Sequence, residues 1–539
     1  MTHSSVVREE LSDLADQTAS GTQALEASEL PMVIPERQPV RSQMAIVARN
    51  SAFVLGMQVA LKVLAFLFNV YVVRRLGDVH FGRYSAVMAY VAVFAIFTDW
   101  GMSPYAVREM AKDRAKTAWL LPNIVGIRVV LSLLITLVAP LSAIWLGKEG
   151  DMVLGIFIAS AGLLVYAFHG PLDTALTARE RLDYTSIFGL VTKLVFWGLG
   201  VVLLINGMGF LGLIIASLTG VAVAALLSGW ALFKLDVGRL TLCIRRWPQL
   251  FLAALPFGVS SISYVFMERF DTVLMSFVLT DAAVGWYNVP WTLINMVLLI
   301  AQSIAIAMYP SMVRGYSEDP ESLPRIVRMA VKYLLIVCLP IAMGGTVLAD
   351  QIIITLYGET FVHSIPVLQV MLWAIPSLFL LELLGRVAST LQLERPAARI
   401  NVINAIVTIV LNLVLVPTMG ILGAALALIG GRTIRLLQYW RLIRFGRLMG
   451  RRWRALNRVL LATALMGAGV LLLRRTSFVA TPGSGRELVV LIGVGALIYV
   501  GAVVVFGGVE RHEVLFLRAL LRSPLRALSS ERRSGGVMK

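Results

Sequence analysis

Cysteine is nearly absent. Cys243 and Cys338 stand alone in 539 residues, with no CxxC pair, which excludes a disulfide framework and leaves two packing residues. The five histidines (His3, His80, His169, His363 and His512) are scattered without ligand spacing. The chain has no GxxxxGK[ST], no HExxH and no paired-cysteine motif. It therefore carries no enzyme signature and no ATP-binding cassette, and neither a metal nor a cofactor is expected. Charge is scarce too, at 15% of residues, against about 25% in an average soluble domain. Yet Lys and Arg outnumber Asp and Glu by 48 to 31, a net charge of +17, and 58% of residues are hydrophobic. A soluble enzyme of this length would fall into about three or four domains joined by polar linkers, and no such linker follows residue 45. Nucleic-acid binding would explain the charge but not the apolar content, so no nucleic-acid partner is expected. A polytopic membrane protein with basic loops on one side explains both.

Residues 1–44 hold seven acids and three arginines among scattered Ser, Thr and Gln. They read as a disordered tail, and not as a signal peptide, because the first apolar stretch opens near residue 51. After it, segments of spanning length succeed one another; about 20 residues cross a 30 Å hydrocarbon core. The pattern predicts 14 helices, near 50–73, 84–104, 119–146, 152–175, 185–206, 210–232, 249–278, 284–309, 329–349, 365–390, 401–416, 419–438, 459–473 and 488–508. Loops on the N-terminal side hold 33 of the 48 basic residues, and the opposite loops hold seven. That asymmetry places both termini in the cytoplasm and the chain in the cytoplasmic membrane.

Two stretches echo each other. Asp78-x-x-x-Gly82-x-Tyr84 matches Asp281-x-x-x-Gly285-x-Tyr287 at an offset of 203, each in an external loop that opens a helix. Pro104-x-x-Val107-Arg108 matches Pro310-x-x-Val313-Arg314 at an offset of 206, each at the cytoplasmic end of that same helix. The repeated unit is six helices long, an even number, so both copies run the same way, as parallel repeats do about an axis along the membrane normal. The expected fold class is thus an all-α polytopic membrane protein. Its parts are a tail (1–44), an N-lobe of six helices (45–234), a C-lobe of six (235–445), two further helices (446–509) and a basic cytoplasmic tail (510–539). Gly82 and Gly285 permit a tight turn or a close helix approach. Pro104 and Pro310 lack an amide donor and can break their helices near the cytoplasmic face, which would leave Arg108 and Arg314 at headgroup level; simple anchoring of the topology is the alternative.

The run Val73-Arg-Arg-Leu-Gly-Asp-Val-His-Phe-Gly-Arg-Tyr-Ser85, followed by Asp99-Trp-Gly-Met-Ser-Pro-Tyr-Ala-Val-Arg-Glu-Met-Ala111, resembles the polysaccharide-transport flippases. These belong to the multidrug/oligosaccharidyl-lipid/polysaccharide superfamily. The resemblance covers the whole chain in helix number and in its arrangement of six, six and two. It implies two six-helix bundles around a central cavity, alternating access, and passage of an isoprenoid-linked oligosaccharide to the outer leaflet with its acyl chain left in lipid. It further implies work alongside glycosyltransferases or a polysaccharide polymerase. A lipid II flippase and a multidrug exporter of the same superfamily are the alternatives. A membrane-embedded glycosyltransferase would need a larger external loop than any here.

Ionisable residues inside spans are the candidate site, since each costs about 2.5–3.5 kcal/mol to insert. Lys62 shares a polar face with Gln58 and Asn69. Ser260, Tyr264, Glu268 and Asp271 form one stripe on helix seven, with Arg269 beside it. Glu268 or Asp271 could bind a proton or cation, or Arg269 could neutralise both. Asn288, Thr292, Asn295 and Gln302 suit sugar hydroxyls but also glue helices together. Glu382 and Arg386 are spaced to pair with each other, and Asp99 closes helix two. Arg128 and Lys193 could reach the cytoplasmic surface, and Lys332, Arg432 and Arg435 are expected to do so. Within the implied function, Lys62, Arg128, Arg269 and Arg386 are the candidate phosphate contacts, and Glu268, Asp271, Asp99 and Glu382 the candidate coupling acids.

Overall fold

A computed structural model describes residues 40–148, 150–235, 240–446, 454–475 and 485–507, with side chains from residue 61 onward. Nearly all of the expected N-terminal tail and all of the C-terminal tail lie outside these residues. The chain forms two units. The first takes in residues 1–63 and 519–539, and its described part is a helical stretch, 40–63. The second, 64–518, holds the rest.

Every regular element among the described residues is a helix. Lipid offers backbone amides no hydrogen-bond partner, so a spanning chain must satisfy them within itself. The first six are α1 (Val40–Asp99), α2 (Met102–Lys112), α3 (Thr117–Trp145), α4 (Gly150–Ala178), α5 (Leu182–Ile205) and α6 (Gly209–Lys234). There follow α7 (Trp247–Val278), α8 (Asp281–Glu318), α9 (Ser322–Val347), α10 (Ala349–Tyr357), α11 (Ser364–Leu372), α12 (Ile375–Thr390) and α13 (Glu394–Leu442). The last two are α14 (Arg454–Arg475) and α15 (Gly485–Val505). Among the described residues eleven helices are long and apolar enough to cross a membrane, and α11 with α12, bent by 44°, can make a twelfth.

Two of the eleven exceed one crossing. The 60 residues of α1 would rise about 90 Å, roughly three hydrocarbon thicknesses. Both α1 and the 49-residue α13 are interrupted by a glycine with positive φ, Gly77 (72°) and Gly420 (61°). That backbone region disfavours any residue with a Cβ, so glycine is what lets the chain turn there. Gly77 falls in the expected 74–83 loop, and Gly420 one residue past the expected start of a span.

The prolines behave differently from expectation. Pro310 does not break its helix, because α8 runs through it to Glu318. A continuous helix bridges one missing amide when its neighbours hold the chain in place. In the first copy the break falls earlier, at Trp100 (φ 46°) and Gly101 (φ 74°). Pro104 then sits in the first turn of α2, where amide donors have no helical partner to lose.

The outer faces are apolar: Leu141 is 62% exposed, Trp145 85% and Phe233 89%. Such a surface requires lipid around it. Inside, small residues and hydroxyls join the helices. Ser132 Oγ donates to Leu163 O at 3.2 Å, and Thr136 Oγ1 to Ser160 O at 3.1 Å, tying α3 to α4. α14 and α15 pack on α9, where Tyr499 Oη donates to Ile336 O at 2.7 Å.

Near the kink of α13, a Cβ on Gly423 would overlap the Leu415 carbonyl oxygen, whereas one on Gly493 in α15 would meet nothing within 4 Å. Gly423→Ala should therefore destabilise the protein by about 2 kcal/mol and lower its unfolding temperature in detergent. Gly493→Ala should leave that temperature unchanged. Equal behaviour of the two variants would contradict the packing described for α13.

Candidate functional site

The two copies of D-x-x-x-G-x-Y meet face to face. A Cβ on Gly82 would overlap the Asp281 carbonyl oxygen, and one on Gly285 would overlap the Asp78 carbonyl oxygen. Only glycine at both positions lets α1 and α8 approach this closely. The residue after each glycine then reaches the other copy's acid. Arg83 Nε donates to Asp281 Oδ2 at 2.8 Å, and Trp286 Nε1 donates to Asp78 Oδ2 at 3.1 Å. The contact is reciprocal, as expected where like surfaces meet about a two-fold axis. Other long-range bonds surround it. Arg74 Nε donates to Leu356 O at 2.7 Å, and Lys148 donates to Ser276 O with its ammonium 4.5 Å from the Phe277 ring.

A second contact, with α7, lies toward the other end of residues 78–99. A Cβ on Gly258 of α7 would lie 2.9 Å from Trp100 O. The Trp100 and Phe251 rings meet edge-on, 6.2 Å apart. Asp99 organises this corner: it accepts from Ser103 N at 3.2 Å and Ser103 Oγ at 2.8 Å and contacts the Arg128 guanidinium. Arg128 Nη2 also donates to Ser103 Oγ at 2.7 Å, and Arg128 is 7% exposed. Pro104, Arg108, Pro310 and Arg314 are all exposed, and Arg108 pairs loosely with Glu109 at 3.7 Å.

The polar stripe of α7 leads to a cavity of about 350 Å³. Its walls are α7, α8, α12 and α13. Of the expected residues, Tyr264, Glu268, Asn295, Glu382 and Arg386 line it, as does Gln302. Trp291, Ser389, Arg432 and Arg435 complete its polar and aromatic wall. Arg432, expected at the surface, is 4% exposed, and its Nη2 lies 2.5 Å from Glu268 Oε1. Arg435 was likewise expected to reach water; it lies over the Tyr439 ring at 5.8 Å, and its buried Nε has no acceptor among the described residues. Arg386 sits over the Tyr309 ring, 5.8 Å from the centroid.

Other expected residues point elsewhere. Asp271 turns from the cavity toward α8, accepting from Thr272 N at 2.6 Å and from the Tyr287 hydroxyl. Tyr287 is the last residue of the second motif, so motif and stripe are joined. Asn288 is buried and donates to Val284 O at 2.9 Å. Arg269 is exposed. Lys62 belongs to the first unit and is exposed within it.

The family model for polysaccharide biosynthesis proteins matches residues 47–316, half of the chain. The chain belongs to that family. A second family model, MatE, matches residues 256–414. Two relatives from Haloferax volcanii are each 23% identical. One, named a probable low-salt glycan biosynthesis flippase, Agl15, aligns over 68% of this chain and 76% of its own. The other, named a probable flippase, AglR, aligns over 72% and 82%. Among solved structures, the lipid II flippase MurJ in an inward closed conformation matches 86% of this family member and all of its own chain, with a TM-score of 0.64 and 15% identity. An inward-facing MATE multidrug transporter of the MOP superfamily matches 71% and 94%, with a TM-score of 0.58 and 17% identity. These likenesses establish the fold.

Sequence reasoning missed Arg432, Arg435 and Trp291. The arginines lie at i and i+3 on one face of α13, a spacing that could have flagged them together. The partner of Arg432, Glu268, is 164 residues away, which no local pattern reveals.

The reciprocal contact yields a test. A double-mutant cycle on Arg83→Ala and Asp281→Ala, read by unfolding in SDS, should give a coupling of roughly 1 kcal/mol. Strictly additive effects would mean that the two side chains do not interact.

Proposed function

We propose that this protein carries a lipid-linked oligosaccharide across the cytoplasmic membrane by alternating access, for the assembly of a surface glycan. The C-lobe cavity is the observation that carries this reading. Trp291 and Tyr264 offer ring faces, Asn295, Gln302 and Ser389 offer hydrogen bonds, and Arg386 and Arg435 offer cations. Rings and amides suit a sugar, and guanidinium forks suit a phosphate. Membership of the polysaccharide biosynthesis family and the names of the two archaeal relatives support the same class of cargo.

Asn295 and Gln302 contact the sugar in this proposal. Arg386 and Arg435 hold anionic groups, and the exposed Arg269 offers a third cation. Glu268 and Glu382 are the proposed coupling acids, whereas Arg128 and Asp99 brace the break at Trp100. Counting the halves of α1 and α13 separately, and α11 with α12 as one, gives the proposed 14 spans. Both termini are cytoplasmic, the lobes are 45–234 and 235–445, and glycosyltransferases or a polymerase supply and consume the cargo. The protein makes and breaks no covalent bond.

Loss of one charge-assisted contact costs about 1.5–3 kcal/mol, or roughly ten- to a hundredfold in transport. Arg386→Ala and Arg435→Ala should therefore each reduce surface glycan export at least tenfold at matched expression, with lipid-linked sugar accumulating in the cell. Leu141→Ala, on the lipid face, should leave export intact. Full export by both arginine variants would overturn the assignment of the cavity.

A further inference from the structure

Ahead of α7, residues 240–243 pass beside the start of α3. Thr241 N donates to Ala118 O at 3.1 Å. The fully buried Asn123 donates from Nδ2 to Thr241 O at 2.9 Å. Its Oδ1 accepts from Cys243 N at 2.9 Å and from Trp247 Nε1 at 3.1 Å. With Nδ2 also donating to Trp119 O at 2.7 Å, this one amide uses all four of its hydrogen-bonding positions.

That clasp fixes the segment in place. Residues 240–243 have no regular structure, and Ile244–Arg246 form one 3-10 turn ahead of α7. Leu240, Leu242 and Ile244 are 58%, 59% and 63% exposed. Cations flank them. Arg245 and Arg246 follow directly and are exposed. Arg246 lies 5.7 Å from the Trp119 ring, and Lys234, at the end of α6, lies 4.0 Å from the Trp230 ring. Trp230 is itself 52% exposed.

We propose that residues 240–246 are an interfacial anchor for an anionic leaflet. Leu240, Leu242 and Ile244 enter the boundary between headgroups and acyl chains, and Lys234, Arg245 and Arg246 bind lipid phosphates. Position and charge select this partner over a soluble protein. The segment leads directly into α7, a helix of spanning length, so it lies at the bilayer surface. Tryptophans beside cations are the composition of that layer, and clustered basic residues next to a span draw anionic lipid. Because Asn123 ties these residues to α3, the anchor is fastened to a helix of the proposed N-lobe, and α7 begins immediately after it.

The test uses the full-length protein in vesicles of phosphatidylcholine, with or without phosphatidylglycerol. A fluorophore is attached at Leu242→Cys in a Cys243→Ser, Cys338→Ala background. Nitroxide near the top of the acyl chain should quench it strongly and aqueous iodide weakly, more so with phosphatidylglycerol present. Charge reversal at Lys234, Arg245 and Arg246 should cut phosphatidylglycerol enrichment around the protein by about fivefold per cation. A label at Leu141→Cys must report the same depth in every variant, which establishes that each is folded. Iodide quenching at position 242 equal to that of free dye would overturn the proposal. So would protection from both quenchers, the mark of a protein partner, or unchanged lipid enrichment after charge reversal.

Discussion

Two carbonyl oxygens sit where two side chains would be. The approach of Gly82 to Asp281 O, and of Gly285 to Asp78 O, sets the distance between α1 and α8. Much else follows from that spacing. Arg83 reaches Asp281 and Trp286 reaches Asp78 only because the backbones have no Cβ between them. Tyr287, two residues beyond its glycine, is carried to Asp271 and holds that acid out of the cavity. A repeat whose copies run the same way can close upon itself when its surface is self-complementary. One geometry, used twice, thereby forms a contact to which both copies contribute alike.

The intramembrane charges divide into those that brace the fold and those that face a cavity. A buried charge in an apolar surrounding is costly unless it is paired. Asp99 and Arg128 resolve this together at the break of Trp100 and Gly101. Glu268 and Arg432 resolve it across α7 and α13. Arg386 and Arg435 are placed differently: each leans on a tyrosine ring and borders the cavity. An aromatic face steadies a guanidinium while leaving its donors free for an anion. This makes α12 and α13 the natural seat of the cargo's charge in the proposed transport cycle.

Much of the fold was legible in the residues. Apolar runs of about 20 residues are dictated by bilayer thickness, so helices were found wherever the pattern placed them and residues were described. The short segment 401–416 lies within α13, and 459–473 within α14. The repeat was legible as well, because turn chemistry and charge leave a local signature. Pro310 misled, since proline is read as a breaker from sequence, and only the packing around α8 shows that the helix continues.

Composition, periodicity and charge asymmetry by themselves determined the all-helical membrane class and the duplicated glycine motif. They also marked the polar stripe along α7. These are properties of neighbouring residues, fixed by helix geometry and by the cost of polar groups in lipid. The tertiary structure alone decided the partners. It brought the two glycines together over 203 positions, buried Arg432 against Glu268, and gave Arg128 to Asp99 rather than to a cavity. It also clasped the segment ahead of α7 to Asn123. Pairing across such separations depends on which faces pack, and a single sequence carries no record of that.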